Sequence, residues 1–575
     1  MVDLIEKYMG GWGRYQAYLY VLFLIPFAIP GAQVMLFTFT GAVPQTRCYI
    51  ASIDNQTSLA EYSNPEIMNR SEQFYTPETK FKGKTHYCRM CTEPTLILQG
   101  SAHHTHTPCL LNKSHPCRDG FVYDRSQFRT TLVAQLDLTC NHAWKRSLAS
   151  SFFMAGYLVG AAITGALSDR FGRRPVFLTL SFLGLIGYHL MMAVPNFPIL
   201  CILHLCNGAF SHGAYITAFV IVMEVLRGLA ATSLGILVQG LFALGYIYVG
   251  VCAYFIRDYR LLQLAVSLPA VLVIPLYWLV PESIRWLILH GRKQQAKRLI
   301  EKAARMNQIQ YKPSELENDI DEAGKYDKTD TQPKATIVDL LIRNRHLSTM
   351  TLIIFFAWFA SAMTYYGLSL NTGELPGNDY VNYLISGIVE IPGFLLVIPV
   401  MQYFGRKAAL IGCFGIGGVC ILGSTFTPQS LPALVVILAS IGKMAAATAF
   451  AVIYNYSAEL FPTIARNTGV GFSSSCARIG AILAPQIYLL GQYTAPWFPF
   501  LVYGSTAILA ALLGLKLPET LGKPFPETLE DGIRLAGGRG VASGGGSDEK
   551  DACHSPAAPL ITDQTPLEDK KLSIR

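Results

Sequence analysis

Charge is what this sequence has least of. Only 15% of its 575 residues are Asp, Glu, Lys or Arg, against about 25% in an ordinary water-soluble protein, which excludes a wholly soluble globular enzyme. Polar, low-hydropathy sequence is scarce too. Apolar residues make up 51% of the chain and mean hydropathy is positive, so most of it cannot be disordered. A basic stripe is missing: the net charge is +8, but Lys and Arg sit in short clusters between long uncharged runs, and nucleic acid is excluded as a partner. No nucleotide-binding loop, nucleophile elbow or histidine metal motif lies on the side assigned below to the cytoplasm, so no enzyme, no cofactor and no resident metal is expected. What remains is the pattern of an all-α polytopic membrane protein set in a lipid bilayer.

Uncharged, mostly apolar runs lie at 16–38, 148–167, 176–194, 198–222, 232–254, 261–280, 347–368, 381–401, 408–426, 431–454, 468–491 and 497–517. Each is long enough to cross a hydrocarbon core of roughly 30 Å as a helix. Three carry one charged residue in their interior: Glu390, Lys443 and Arg478. Twelve spans put both termini on one side. The first run is too long for a signal-peptide core and follows a stretch of balanced charge, so it reads as a retained helix. Short-loop charge sets the orientation. Arg170, Arg173 and Arg174 follow span 2, Arg406 and Lys407 follow span 8, and Arg466 follows span 10. The turns after spans 3, 9 and 11 carry no Lys or Arg; Arg257 and Arg260 after span 5 run against the trend. Both termini are therefore expected in the cytoplasm.

The segment 41–146 then falls outside. It holds three sequons, at Asn55, Asn69 and Asn112, and six cysteines: Cys48, Cys88, Cys91, Cys109, Cys117 and Cys140. An oxidising compartment favours disulfides among them, in a connectivity the sequence leaves open. Cys88-x-x-Cys91 followed by His103, His104 and His106 offers a zinc site as the alternative. A fourth sequon, at Asn455, lies at an inner span end and should stay unmodified. The expected organisation is a cytoplasmic N-terminus (1–15), a six-helix half (16–280), a cytoplasmic linker (281–346) with a helical stretch from Lys293 to Met306, a second half (347–517) and a tail (518–575). The tail is rich in Gly, Ser and Pro and is expected to be largely disordered.

An internal repeat supports the two halves. Phe171-Gly172-Arg173-Arg174 after span 2 matches Phe404-Gly405-Arg406-Lys407 after span 8, and Pro281-Glu282-Ser283 after span 6 matches Pro518-Glu519-Thr520 after span 12. Glu224 at the end of span 4 likewise matches Glu459 at the end of span 10. Duplicated halves of this kind place substrate between them at the midplane.

These residues carry a resemblance. Gly165-x-x-Ser168-Asp169-Arg170-Phe171-Gly172-Arg173-Arg174-Pro175 is similar to the loop motif of major facilitator transporters. Pro281-Glu282-Ser283-Ile284-Arg285-Trp286-Leu287, Tyr366-Gly367-Leu368-Ser369-Leu370 and Ala458-Glu459-Leu460-Phe461-Pro462-Thr463 through Arg466-Asn467 resemble signatures of the organic cation, anion and carnitine transporters. The resemblance spans about 1–525. It implies a multi-pass plasma-membrane protein that moves small organic ions by alternating access, with sodium or proton as a possible co-transported ion. It also assigns gating roles to Gly165, Asp169, Arg170, Gly172, Arg173, Arg174, Glu224, Arg285, Glu459 and Arg466. Gly165 would let spans 2 and 3 pack closely, and Asp169 would face the start of span 11. The plainer alternative is that the arginines only set topology. Two departures stand out: His204 replaces the family's usual Arg on span 4, and Glu224 lacks the basic residue seven positions on that Glu459 has in Arg466.

Ionisable residues within spans point to a substrate site because each is unfavourable there. At 1.5 Å per residue Glu390, Lys443 and Arg478 lie roughly 16–18 Å into their spans, at one level near the midplane. The competing reading is an ion-pair network internal to the second half. Trp358 and Tyr365 share a face of span 7, and Phe450 lies two turns after Lys443 on span 10; aromatic faces attract quaternary ammonium groups. The resemblance assigns equivalents of Trp358 and Tyr365 to organic cation carriers. His212, Tyr215 and Gln239 are the candidates in the first half. Two basic groups, one acid and aromatics suit a zwitterion such as carnitine or a betaine, with a simple organic cation and then an organic anion as the next readings. A non-transporting, ligand-binding membrane glycoprotein is the alternative from another class.

Overall fold

The computed structural model describes residues 2–49, 80–81, 84–85, 88–91, 114–117, 119–329, 336–342, 344–428, 430–523 and 525–537. Asn55, Asn69, Asn112, Cys109, His103, His104 and His106 lie outside these residues.

Among the described residues ten helices are long and apolar enough to cross a membrane: Arg14–Thr40, Cys140–Phe171, Arg173–Ala193, Phe197–Met223, Ser233–Phe255, Tyr259–Leu279, Arg345–Leu370, Asp379–Tyr403, Arg406–Phe426 and Pro432–Leu460. They are spans 1 to 10. Span 11 is the helix Arg466–Tyr493, whose Gly, Ser and Arg content keeps its hydropathy low. Span 12, Phe498–Gly514, is shorter. Prolines interrupt several spans, since each removes an N–H from the ladder. Span 6 passes through a tight turn at Leu268–Val273; the Ala265 carbonyl, which Pro269 cannot reach, accepts a hydrogen bond from Tyr248 Oη at 2.9 Å. Span 8 breaks at Val389, three residues before Pro392 and next to Glu390.

Glycines set the close approach of spans 2 and 4. A Cβ on Gly156 would lie 2.1 Å from the Leu205 carbonyl oxygen, and one on Gly160 would lie 2.4 Å from that of Ala209, so backbones meet as small residues allow in membranes. Gly165 is not one of them. A Cβ there meets nothing within 4 Å, which corrects its expected role between spans 2 and 3: the closely packed glycines of span 2, Gly156 and Gly160, lie nearer its outer end.

Outer denotes the end carrying the cysteine-rich segment, and inner the opposite end. At the outer end Cys48 pairs with Cys117 and Cys88 with Cys140. This settles part of the open connectivity and removes the Cys88-x-x-Cys91 zinc alternative, because Cys88 has no thiolate to offer. The strand Thr46–Cys48 lies antiparallel to Phe121–Tyr123. The stretch after it straps both halves: Thr130 Oγ1 donates to Asp258 (2.7 Å) and Gln127 Nε2 to Asp379 (2.9 Å).

At the inner end the N-terminal helix Val2–Met9 packs on Ile284–Leu289, Lys293–Asn307 and Pro313–Thr329 through Leu4, Ile5, Trp286, Ile300 and Leu316. Lys7 and Tyr8 both donate to Asp319, at 2.8 Å each, which holds the Asp319 carboxyl below its ordinary range. The early tail departs from the expected disorder. Leu529–Leu535 is a helix with a capping box between Thr528 and Asp531, and Gly532 lies against Pro462. The chain beyond 537 is outside the described residues.

Candidate functional site

The three intramembrane charges come to one region but do not act alike. Glu390, at the break in span 8, faces Lys443 of span 10 at 2.9 Å, with 1% and 2% of their side chains exposed. Tyr365 Oη of span 7 donates to the same carboxylate at 3.2 Å. The Lys443 ammonium also donates to Ser369 Oγ and lies 3.6 Å from the centre of the Tyr365 ring. That is a closed, neutral cluster within the second half, as the competing ion-pair reading described.

Arg478 is outside that cluster. It is 3% exposed, and among the described residues no carboxylate comes within 4.0 Å of it. Its Nη2 donates across to the first half, to His212 Nε2 of span 4 at 3.0 Å. The guanidinium sits 5.6 Å from the Tyr157 ring centre, and its Nε has no partner among the described residues. A guanidinium can only donate, so the His212 nitrogen facing it carries a lone pair.

Around this contact both halves border one small cavity. Tyr215, Gln239, Tyr365, Phe450, Glu390 and Arg478 line it, joined by Tyr157, His212, Tyr366 and Tyr454. Two candidates stand behind the wall. Lys443 is turned into its ion pair, and Trp358 is fully buried with its indole N–H on Ser457 Oγ at 2.8 Å and its ring against Phe450 and Tyr454. Tyr454 was passed over in the sequence, although it lies one helical turn after Phe450 and so shares its face. Tyr157 gave no signal, since a tyrosine in a membrane span is ordinary.

The inner face carries a second arrangement, built twice. Arg173 pairs with Glu224 at 2.9 Å, and Arg406 with Glu459 at 3.0 Å. Ser283 Oγ donates to Glu224, and Thr520 Oγ1 to Glu459 at 2.6 Å. Glu282 accepts the backbone N–H groups of Arg173 (3.0 Å) and Arg174 (3.2 Å); Glu519 accepts those of Arg406 (3.0 Å) and Lys407 (3.1 Å). Glu282 thus sits on the N-terminus of span 3 and Glu519 on that of span 9, where helix N–H groups favour an anion. Burial alone would raise the Glu519 pKa, but the N–H groups of Leu521, Arg406, Thr520 and Lys407 outweigh it and hold the carboxyl below its ordinary range.

This geometry corrects three expectations. Glu224 does not lack a basic partner, because Arg173 comes to it from another span. Glu459 takes Arg406 rather than Arg466, whose Nη2 bonds Thr463 Oγ1 at 3.2 Å and whose guanidinium lies 5.6 Å from the Phe525 ring centre. Asp169 does not face span 11: its side chain is 75% exposed and reaches Arg173 at 3.6 Å. Arg170 and Arg285 are exposed as well. Gly172 and Gly405, at φ +104 and +89, turn the chain where a Cβ would run into Glu282 and Glu519 at 2.5 and 2.4 Å.

The halves meet at the outer end. Ser151 of span 2 donates to the Ile482 carbonyl of span 11 at 2.8 Å and accepts from Gln486 at 3.0 Å. Tyr246 of span 5 stacks on Tyr383 of span 8, centroids 4.2 Å apart. These contacts join the two halves on the outer side of the cavity.

Comparison with known proteins places this architecture. Residues 109–531 match the family described as "Sugar (and other) transporter". The chain is 38% identical over 534 residues to the organic cation transporter protein of Drosophila melanogaster, covering 92% of this chain and 94% of the relative. It is 33% identical over 546 residues to the organic cation/carnitine transporter 2 of Mus musculus, covering 93% and 94%. It is 34% identical over 535 residues to solute carrier family 22 member 12 of Rattus norvegicus, covering 92% and 95%. Among solved structures it is similar to the major facilitator superfamily proton:xylose symporter XylE bound to 6-bromo-6-deoxy-D-glucose, with a TM-score of 0.57, 17% identity and coverage of 89% and 98%. A partially occluded inward open conformation of XylE from E. coli gives a TM-score of 0.57 at 16% identity, covering 89% and 99%. These last two speak for the fold alone.

Proposed function

We propose that this chain, which belongs to the major facilitator transporters and groups there with the organic cation and carnitine carriers, moves a carboxylate-bearing small organic ion, a carnitine-like zwitterion, across the membrane by alternating access. One observation carries the substrate class: Arg478 is a buried guanidinium on the cavity wall whose hydrogen-bond partner is a neutral imidazole, while Lys443, the cation buried within span 10, is already neutralised by Glu390. A cavity with one uncompensated positive charge favours a ligand that brings a carboxylate, which a guanidinium takes in a bidentate pair. Tyr365, Phe450 and Tyr454 offer ring faces for a quaternary ammonium. The same surplus charge favours a plain organic anion as the second reading. The duplicated inner clusters around Glu224 and Glu459 support a gating role for the loop-motif residues that build them, Gly172, Arg173 and Arg406. Basic short loops at the inner end support cytoplasmic termini in the plasma membrane, with Asn55, Asn69 and Asn112 glycosylated outside. Sodium or proton is the co-transported ion this reading admits.

Uptake of labelled carnitine and of labelled tetraethylammonium, which has no carboxylate, tests it in cells with matched surface expression. Arg478→Lys should weaken carnitine uptake by about ten- to a hundredfold in apparent affinity, the loss of a charge-assisted contact of about 1.5–3 kcal/mol. Arg478→Asp should abolish it and spare the cation. Equal loss of both substrates would remove Arg478 from the substrate site; uptake of an aromatic carboxylate in place of carnitine would select the anion reading.

A further inference from the structure

Arg478 and His212 form a bond between the two halves, and its chemistry has a consequence for the empty carrier. The guanidinium offers five N–H donors in a planar fork. A single imidazole lone pair engages one of them, at 3.0 Å, and leaves Nε without a partner among the described residues. The imidazole is not placed there by Arg478 alone. Its ring is stacked on Tyr157, centroids 4.5 Å apart at 15°, and lies parallel to Tyr215 at 6.1 Å. His212 and Arg478 are 4% and 3% exposed, and both border the central cavity.

We propose that His212 is a specificity-determining residue that acts as a built-in surrogate ligand: in the empty carrier its imidazole holds the place on Arg478 that a substrate carboxylate takes, and the two compete for one guanidinium. This rests on the carboxylate reading of Arg478 and deepens it. A carboxylate engages two donors and brings a full negative charge, so it displaces a neutral one-point acceptor. When the substrate leaves, His212 re-engages, and the empty carrier returns without an unpaired buried charge. Net uptake requires that empty return step; exchange of internal for external substrate does not.

The test measures labelled carnitine in net uptake and in exchange, for variants normalised to surface protein. His212→Leu removes the competitor. The half-saturating carnitine concentration should fall by about two- to tenfold, the worth of one hydrogen bond, while net uptake drops several-fold more than exchange. In His212→Gln the side-chain oxygen can accept from the guanidinium, and both quantities should return toward wild type. His212→Asp supplies a permanent carboxylate and should abolish carnitine uptake and exchange at normal surface abundance. If His212→Leu lowers exchange and net uptake equally, or if His212→Asp still carries carnitine, the surrogate role is overturned. Should His212→Leu fail to reach the surface, the Gln and Asp variants still decide: both must behave as stated. Failure of the underlying reading looks different, since Arg478→Lys would then carry carnitine normally. If Arg478→Lys is impaired but the His212 variants show no such split, this inference alone falls.

Discussion

Lys443 and Arg478 are both buried in the second half and differ in what balances them. Lys443 has Glu390, Ser369 and the Tyr365 ring; Arg478 has an imidazole. A buried pair contributes little net stability against apolar replacements, yet breaking it leaves one uncompensated charge, at about 3–5 kcal/mol. Lys443→Met alone should therefore lower the thermal stability of the purified protein sharply. Lys443→Met with Glu390→Gln should recover most of the loss, the added amide still accepting from Tyr365. A double variant no more stable than Lys443→Met would show that Lys443 is held by its other contacts and not by the pair. All three charges were legible in the sequence because a charge in an uncharged run has no ordinary explanation. Their pairing was not, because it depends on how spans 8, 10 and 11 rotate about their axes. His212 carried a weak signal for a similar reason: a histidine in an apolar helix is usually packing, and only the arrival of Arg478 from the other half makes it a partner.

Turns and helix ends were more legible. The repeat of Phe-Gly-Arg and Pro-Glu motifs announced two equivalent inner loops, and the structure adds why glycine stands at 172 and 405. Both adopt positive φ and leave no room for a side chain before a carboxylate. Gly172→Ala and Gly405→Ala should each reduce folded protein markedly, whereas Gly165→Ala, facing open space, should leave it unchanged; fluorescence-detected size exclusion in detergent reads both. Acid separates the Glu519 contact from the fold as a whole. Its carboxyl is held below its ordinary range, so its contribution is fully present above the ordinary glutamate value of about 4.3 and is lost as pH falls through the lower, folded value. Glu519→Gln should remove that increment. The stability gap between variant and wild type should then narrow on going from neutral pH to well below 4.3; a gap independent of pH would mean that the ionised carboxylate is not what caps span 9. The partner of Glu224 was misread for a plain reason. A search along one helix for a basic residue seven positions on cannot find Arg173, which arrives from the start of another span.

At the scale of the molecule, the two halves touch where Ser151 meets Ile482 and Gln486, and where Tyr246 meets Tyr383. Asp169 stands exposed at the far end of the same span 2. Twelve spans, their duplication and the fold could be read from hydropathy and motifs, but no sequence pattern says where the two halves touch, since that depends on how they pack against each other. If transport requires these outer contacts to part, tying them should stop it. Ser151→Cys with Gln486→Cys places two thiols on the facing outer ends of spans 2 and 11. A short bifunctional thiol reagent should join them, abolish uptake of labelled substrate, and release activity when a cleavable reagent is reduced. The single variants, treated alike, should keep transporting, which controls for the free cysteines elsewhere in the spans. Complete crosslinking with undiminished uptake would mean that substrate passes without separation of spans 2 and 11.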